Sequence, residues 1–247
     1  MVAFYGAPQA AALGVLGVGT PDAAATKLAT QARAYAHRGG RPVLPALELI
    51  ATVASGAPHS DGRYRYRQSQ STIGGYLAAA RRAHALLLLD IQPGRASFMS
   101  EVRLYRSFLE QPDVSLALDP EWHVGPGEIP GKQLGSVDAS EVNQVSTYLA
   151  GIVRAGRLPQ KLLVVHQFTE SMIRNKERLA RRPGIALTIN VDGVGAPADK
   201  VAKYDLFAHE RPHLHRGLKL FYREDTGLLS PPEVLALRPR PELVVYQ

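Results

Sequence analysis

Apolar and polar residues alternate along eight short stretches of the chain, and helix-like segments separate these stretches. In Ile185–Val191, large aliphatic residues occupy every second position and smaller or polar residues the others. Strands that alternate with helices are typical of a parallel sheet with crossover connections. The eight predicted strands are Val2–Tyr5, Pro42–Thr52, Ala85–Ile91, Val114–Glu121, Lys161–Phe168, Ile185–Val191, Gly217–Tyr222 and Leu243–Tyr246.

The segments between the strands carry helix start and stop signals. Thr20 before Pro21 predicts a capped helix start, and Gly39 with Gly40 predicts the end of that helix. Three of the other predicted helices are Ser69–His84, Thr169–Arg181 and Pro197–Ala208, and a fourth is marked by the apolar spacing of Phe98, Val102, Tyr105 and Leu109. A fifth follows the capping box of Asp138 and Glu141, and its apolar stripe is Val142, Val145, Leu149 and Val153. The sixth follows Ser230, where Glu233 repeats the capping pattern. Seven helices thus join eight strands, and no closing eighth helix follows the last strand.

This order predicts an α/β protein with a (β/α)8 TIM-type barrel, formed by residues 1–247 as a single domain. An open, doubly wound sheet is the alternative, and it would place a glycine-rich phosphate turn after the first strand. The sequence after Tyr5 is Gly6-Ala7-Pro8-Gln9, and the later glycines open no helix in the dinucleotide-binding pattern. The barrel is therefore favoured over a nucleotide-binding sheet.

Composition narrows the function classes. The chain has 247 residues and a net charge of +7. Its apolar fraction of 45% and charged fraction of 21% are typical of a folded domain and argue against a disordered chain. The absence of cysteine excludes disulfides, thiolate metal sites and cysteine nucleophiles. Apolar runs such as Ala85–Leu89 fall far short of the ~20 residues of a membrane helix, so no membrane span is expected. No export signal is recognised after Met1, so we expect an extracellular or envelope location only if a leader has been removed.

Polar residues concentrate toward the carboxyl ends of the predicted strands, where barrel enzymes place their active sites. Alternation places Asp119 and Glu121 on one face with Ala117, toward the barrel axis. The full predicted set is Tyr5, Glu48, Asp90, Gln92, Asp119, Glu121, His166, Asn190, Asp192, Lys219 and Tyr246. Each one alone is equally well explained as a buried side chain with hydrogen-bond partners. Five carboxylates together are costly to bury unless they are protonated, paired or bound to a ligand, so the set favours a functional site.

Six motifs resemble an actinobacterial family of envelope and lipoprotein-type proteins. They are Phe4-Tyr5-Gly6, Pro42-Val43-Leu44-Pro45, Leu89-Asp90-Ile91-Gln92-Pro93-Gly94, Leu118-Asp119-Pro120-Glu121-Trp122, Val165-His166-Gln167-Phe168 and Val191-Asp192-Gly193. The resemblance covers the whole chain and implies a glycoside-hydrolase-like barrel and an envelope location. It informs fold and location more than chemistry. A looser likeness links Asp119 and Glu121 to the Asp-x-Glu element of chitinase-like and lysozyme-like barrels, although Ser115 and Ala117 replace the preceding acids of chitinases.

Glycoside hydrolysis needs a protonated carboxyl group to donate to the leaving oxygen and a second carboxylate as base or nucleophile. We expect Glu121 to be the general acid, with Asp119 holding it or stabilising the transition state. Asp192 is the candidate base or nucleophile, and Asp90 is the reserve candidate. The expected reaction needs no cofactor and no metal.

The remaining candidates would bind a polysaccharide substrate. Trp122, the only tryptophan, stacks on a sugar or packs in the core, and the glycine- and proline-rich segment His123–Val137 is a cover or an ordinary surface loop. Phe221 is a further aromatic candidate for the pocket floor. The predicted substrate-binding residues are Tyr5, Glu48, Asp90, Trp122, His166, Gln167, Asn190, Lys219 and Tyr246.

Two alternatives stay open, a non-catalytic carbohydrate-binding barrel and a metal-dependent hydrolase or isomerase. The candidate metal ligands would be Glu48, Asp90, Asp119, Asp192 and His166. His213 and His215 have ligand spacing but fall in the predicted loop Glu210–Arg216, so we interpret them as loop residues. The absence of a Gly-x-Ser-x-Gly motif argues against a serine nucleophile.

Cations and aromatic residues alternate in the segment Arg63–Arg67. If extended, it presents three arginines on one face, which either grip an anionic polymer or form a solvated hairpin edge. Nucleic acid is not expected as a partner, because the positive charge is spread along the chain and the predicted acidic pocket would repel phosphates.

Overall fold

The computed structural model describes residues 1–40, 42–209 and 214–247 of the chain. Eight of its strands correspond to the predicted ones. The strands are β1 (Val2–Gly6), β2 (Pro45–Ala54), β3 (Arg65–Arg67), β4 (Leu86–Ile91), β5 (Val114–Leu118), β6 (Val137–Asp138), β7 (Lys161–Gln167), β8 (Ile173–Arg174), β9 (Ile185–Val191), β10 (His215–Leu220) and β11 (Leu243–Tyr246).

Eight parallel strands form one closed sheet. Their order is β1-β11-β10-β9-β7-β5-β4-β2, and β1 pairs with β2 as well as with β11, which closes the barrel. Parallel register is seen in β5 and β7, where Leu116 lies opposite Leu163 and Leu118 opposite Val165. The prediction of a (β/α)8 barrel is confirmed. β3 adds to the sheet as an antiparallel strand beside β2.

Helices lie between most of the barrel strands. The helices are α1 (Pro21–Gly39), α2 (Gln70–Arg82), α3 (Phe98–Val102), α4 (Arg106–Leu109), α5 (Ala139–Gly156), α6 (Pro197–Ala208) and α7 (Pro231–Ala236). The start of α1 is as predicted, because the Thr20 side chain accepts a hydrogen bond from Ala23 N and Pro21 takes the first helical position. Gly40 ends α1 in the left-handed conformation, with φ 64°.

The predicted helix Thr169–Arg181 is wrong. A short 3-10 turn, Glu170–Met172, leads into β8, which pairs with β6, and a second turn, Lys176–Arg178, follows. Asn175 lies between them with a φ of 52°, in the left-handed region that a right-handed helix cannot pass through. The alternation of strands and helices predicted a helix in this segment, whereas part of it pairs with β6 instead.

Two predicted strands extend three residues too far at one end. The second begins at Pro45 rather than Pro42, and the fourth ends at Leu118 rather than Glu121. Proline has no N–H to give to the sheet, and Pro120 begins a 3-10 turn, Pro120–Trp122. Alternation within a strand therefore does not reach Glu121.

The Phe98–Leu109 segment buries the four side chains that its spacing selected, but it is divided into α3, a 3-10 turn (Arg103–Tyr105) and α4. The Asp138 capping box is wrong in one half. Asp138 accepts from Ser140 N at 2.9 Å, whereas Glu141 Oε1 accepts from Phe98 N at 2.7 Å and so ties α5 to the start of α3. The predicted apolar stripe of α5 is buried throughout.

The chain divides into two compact units. The first comprises Met1–Leu49, Ser71–Leu88 and Ile189–Gln247. The second comprises Ile50–Gln70 and Leu89–Thr188, and its core lies between β5, β7 and the buried stripe of α5. The prediction of a single domain stays a prediction. No helix within the described ranges combines the length and the apolar character that a bilayer crossing demands.

Candidate functional site

Three neighbouring strands of the second unit end in polar side chains. Asp90 lies on β4, Asp119 directly follows β5, and His166 lies on β7. Since Leu118 lies opposite Val165, Asp119 and His166 occupy the next level of the same register. His166 Nε2 lies 3.9 Å from Asp90 Oδ1. The structure thus brings together two of the predicted residues that lie 76 positions apart in the sequence.

These three side chains are withdrawn from bulk solvent. Asp90 and His166 are completely buried, and Asp119 is 3% exposed. Burial in a low-dielectric interior strengthens the interaction of a carboxylate with an adjacent imidazole. Such a pair can exchange a proton with a reacting group, or offer one oxygen and one nitrogen to a divalent cation.

Glu121 is the more accessible acid of the β5 segment. It lies in the turn Pro120–Trp122 and is half-buried, as is Trp122. The expectation that Glu121 shares a strand face with Asp119 is wrong, because the strand has ended. The turn instead gives the two acids different degrees of exposure, although only one residue separates them.

The predicted cover segment folds back on this turn. Gly135 N donates to Glu121 O at 2.7 Å, and a Cβ at Gly135 would lie 2.4 Å from the Pro120 carbonyl oxygen. Only glycine allows this approach. A Cβ at Gly131 would lie 3.5 Å from the Trp122 ring, so the same segment lines the indole. The position of Glu121 is therefore fixed by a loop of the second unit.

Two buried glutamines flank these strand ends. Gln92 Oε1 accepts a hydrogen bond from Ala54 N at 3.0 Å, so this side chain holds the end of β2, which belongs to the same unit. Gln167 Nε2 donates to Thr169 O at 3.2 Å, while its Oε1 is buried and accepts no hydrogen bond from the residues that the structure describes. A buried acceptor of this kind is suited to a hydroxyl group of a ligand.

The first unit holds a second polar cluster, centred on Lys219 of β10. Lys219 Nζ lies 3.4 Å from Asp192 Oδ2 and 3.6 Å from the centroid of the Tyr5 ring. Asn190 Nδ2 donates to Asp192 Oδ1 at 2.7 Å. A cation and an amide N–H together stabilise the ionised form of the carboxylate. Four predicted site residues are thus in one network.

Two further candidates of the first unit differ in their surroundings. Glu48 is completely buried on β2 and lies opposite Tyr5 in the register. Tyr246 does not join the Lys219 network through its hydroxyl, which lies 2.6 Å from the hydroxyl of Tyr35 on α1. Burial raises the pKa of both phenols. Sequence alternation assigned Tyr246 to the pocket, whereas its hydroxyl is directed to the helix layer.

A buried lysine that the sequence did not single out supports this cluster. Lys200 Nζ donates to the carbonyl oxygens of Gly193 and Lys219 at 2.7 and 2.6 Å, and lies 3.3 Å from Asp225 Oδ2. Burial lowers its pKa. Lys200 thereby links the backbone next to Asp192 with that of Lys219. No local pattern marks it, because a lysine in the first turns of a helix is ordinarily exposed.

The arginine-rich segment is a hairpin edge, as one of the two interpretations held, but it is not fully solvated. Arg65 is 5% exposed and lies 2.9 Å from Glu101 Oε1 and 2.7 Å from Asp61 Oδ2. Arg67 Nε lies 2.6 Å from Glu101 Oε2. Glu101 of α3 compensates both guanidinium groups, so these arginines are occupied within the protein.

The structure describes one of the two histidines that have ligand spacing. His213 lies outside the described residues. His215 begins β10 rather than a loop, and its Nδ1 lies 2.6 Å from Glu242 Oε2 at an exposed position.

Comparison with known proteins leaves the family open. No protein-family model matches the chain, and a comparison with curated proteins finds no similar sequence. The side chains at the strand ends are therefore the basis for a function.

Proposed function

We propose that the protein is a hydrolase of the glycosidase type, which cleaves a polysaccharide by carboxylate acid–base catalysis at the carboxyl ends of the barrel strands. The observation that carries the proposal is the unequal exposure of Asp119 and Glu121 at the end of β5. Two acids in different environments can divide the roles of proton donor and charge stabiliser.

Glu121 is the general acid in this proposal. It is half-buried, so its carboxyl group can meet the leaving oxygen of a bound sugar while the folded-back loop holds its backbone. Asp119 is buried two positions before Glu121 and contributes negative charge toward an oxocarbenium-like transition state.

Asp192 is the proposed base or nucleophile. Its ion pair with Lys219 and its hydrogen bond from Asn190 support a carboxylate that stays ionised, as this role requires. Its convergence with Asp119 and Glu121 stays a prediction.

Aromatic residues and a family resemblance support the substrate class. Trp122 is half-buried beside Glu121, and half-exposed indole rings form stacking platforms for sugars. The resemblance of six motifs to actinobacterial envelope proteins supports an envelope polysaccharide.

The matched test compares Glu121→Gln with Glu170→Gln, an exposed acid of the same unit outside the β5 turn. With polysaccharides and oligosaccharides of a glycan panel, we expect Glu121→Gln to lower kcat by about 100-fold or more and Glu170→Gln to behave like the wild type. With dinitrophenyl glycosides, whose leaving group needs no proton, the loss in Glu121→Gln should be small. Oligosaccharide affinity should be retained.

Three outcomes contradict the proposal. Equal turnover in Glu121→Gln and wild type removes Glu121 as the acid. An equal loss with protonation-independent glycosides points to a positioning effect instead. Glycan binding by the wild type without any turnover favours the non-catalytic carbohydrate-binding barrel.

A metal-dependent hydrolase is a second candidate, favoured by the 3.9 Å approach of His166 Nε2 to Asp90 Oδ1. Imidazole and carboxylate are ligands that Mn²⁺ and Zn²⁺ accept. Activity lost on dialysis against EDTA and restored by Mn²⁺ or Zn²⁺ would support this candidate. Activity that is insensitive to the chelator would contradict it.

A further inference from the structure

A cleft of about 450 Å³ lies in the first unit, and none of the residues of the Lys219 network is among those that line it. Its walls come from β1, from the two 3-10 turns after β1 (Ala11–Leu13 and Val15–Gly17), from α1, and from the segment after β10. This volume falls in the range of cavities that hold small organic ligands, ~300–1,000 Å³.

The apolar wall is built from aromatic and aliphatic side chains. Phe4 neighbours Tyr5 on β1, and since the Tyr5 ring contacts Lys219, Phe4 lies on the opposite face of the strand. The Phe4 ring meets Tyr222 edge-on at 6.4 Å, and Tyr222 stacks on Tyr246 at 5.1 Å with an angle of 22° between the rings. Tyr222 thereby presents a supported flat surface.

The mouth of the cleft leaves this surface uncovered. Tyr222 is 44% exposed and Val18 is 45% exposed, and both line the cleft. Large apolar side chains that share one concave surface favour a ligand that removes them from water. A planar aromatic group matches a stacking surface of this kind.

Two cations border the same cleft. Lys27 of α1 and Arg223 after β10 are exposed lining residues, and in the part of the chain that the structure describes neither has an ion-pair partner. Glu224 also lines the cleft, so cationic side chains outnumber acidic ones there, and an anionic group on a ligand is favoured beside Arg223 and Lys27.

The wall after β1 is preformed. Gly14 has a φ of 110°, and a Cβ there would lie 2.5 Å from the Tyr5 carbonyl oxygen. A Cβ at Gly17 would lie 2.0 Å from the carbonyl oxygen of Ala10. These close backbone approaches hold the turns against each other, and a preformed wall spares a ligand the free energy of ordering it.

We infer that this cleft binds an aromatic monoanion, whose ring stacks on Tyr222 and whose acidic group pairs with Arg223 and Lys27. The inference uses none of the proposed catalytic acids, so it is independent of the proposed function. It adds a ligand site of a different chemistry, an aromatic carboxylate or sulfonate rather than a sugar.

The test uses two fluorescent probes of similar shape, 1-anilinonaphthalene-8-sulfonate and the uncharged N-phenyl-1-naphthylamine. We expect the sulfonate to bind the wild type at one site. Arg223→Glu should weaken sulfonate binding about tenfold or more, as the loss of a charge-assisted contact implies, and leave the uncharged probe within about twofold. Arg181→Glu, an exposed arginine that is not among the cleft residues, is the matched charge control and should change neither.

Two variants that fill the cleft test its location. Val15→Trp and Ala12→Trp change lining residues and should abolish binding of both probes, while circular dichroism and the thermal midpoint report whether each variant is folded. Unchanged sulfonate binding in a folded filling variant overturns the inference. An equal loss of both probes in Arg223→Glu overturns the assignment of the anionic group.

Discussion

Lys219 and Asp192 form a buried ion pair with Nζ and Oδ2 3.4 Å apart. Lys219 is 3% exposed and Asp192 is 6% exposed, so neither charge is compensated mainly by water. Each of the two charges therefore depends on the other for its compensation.

Replacing Lys219 by Met leaves the Asp192 carboxylate buried without its cation. We expect the free energy of unfolding to fall by about 3–5 kcal/mol, the range for one broken partner of a buried pair. Chemical denaturation measures the loss. In the double variant Lys219→Met/Asp192→Asn part of the loss should be recovered, because no unpaired charge is left. Additive losses would show that the two side chains act independently.

Tyr246→Phe distinguishes a structural role from a role in substrate binding. The change removes one hydroxyl of the buried Tyr35–Tyr246 pair, and we expect a loss of about 1 kcal/mol in the free energy of unfolding. Affinity for any glycan ligand should stay at the wild-type value. A loss of affinity without a loss of stability would restore Tyr246 to the pocket.

Glu101→Gln is expected to destabilise the protein strongly, by about 3 kcal/mol or more, because Glu101 is buried and neutralises Arg65 and Arg67. Glu110→Gln is the control: it breaks the exposed pair with Arg106 and should leave the denaturation midpoint unchanged. Raising the salt concentration should narrow the difference only slightly, since buried pairs are screened little. Equal midpoints for the two variants would contradict the assignment.

The buried Lys161 is expected to make the free energy of unfolding rise with pH. It donates to the carbonyl oxygens of Gln111 and Val114, and burial lowers its pKa from 10.5 to about 8. Between these values the unfolded chain holds a proton more tightly than the folded protein, so the free energy of unfolding increases as the pH rises above about 8.

Denaturation at pH 7.5 to about 9.5 tests this slope, below the range in which buried tyrosines oppose it. Lys161→Met should lessen the rise, to which Lys200 also contributes through its own lowered pKa, while Lys132→Met, at an exposed position, should leave it unchanged. A slope that is the same in Lys161→Met and wild type would show that another group is responsible.

Most of the barrel could be predicted locally. Alternation along Ile185–Val191 and Leu243–Tyr246 predicts the bounds that the structure has, and α6 has the predicted bounds Pro197–Ala208. These patterns succeed because each element carries its own periodicity and caps. The pattern failed at Glu121 and in Thr169–Arg181, where a proline turn and a pairing with a distant strand override local preference.

The sequence by itself determined the barrel, the absence of thiol chemistry and the polar character of the strand ends, since these follow from periodicity and residue type. Only the tertiary structure decided which polar groups meet: His166 with Asp90, Arg65 with Glu101, and Lys200 with Asp225. Such partners are far apart along the chain. The strength of an ion pair depends on the distance between the charges and on their burial. Packing sets both, and neither can be predicted from the neighbouring residues in the sequence.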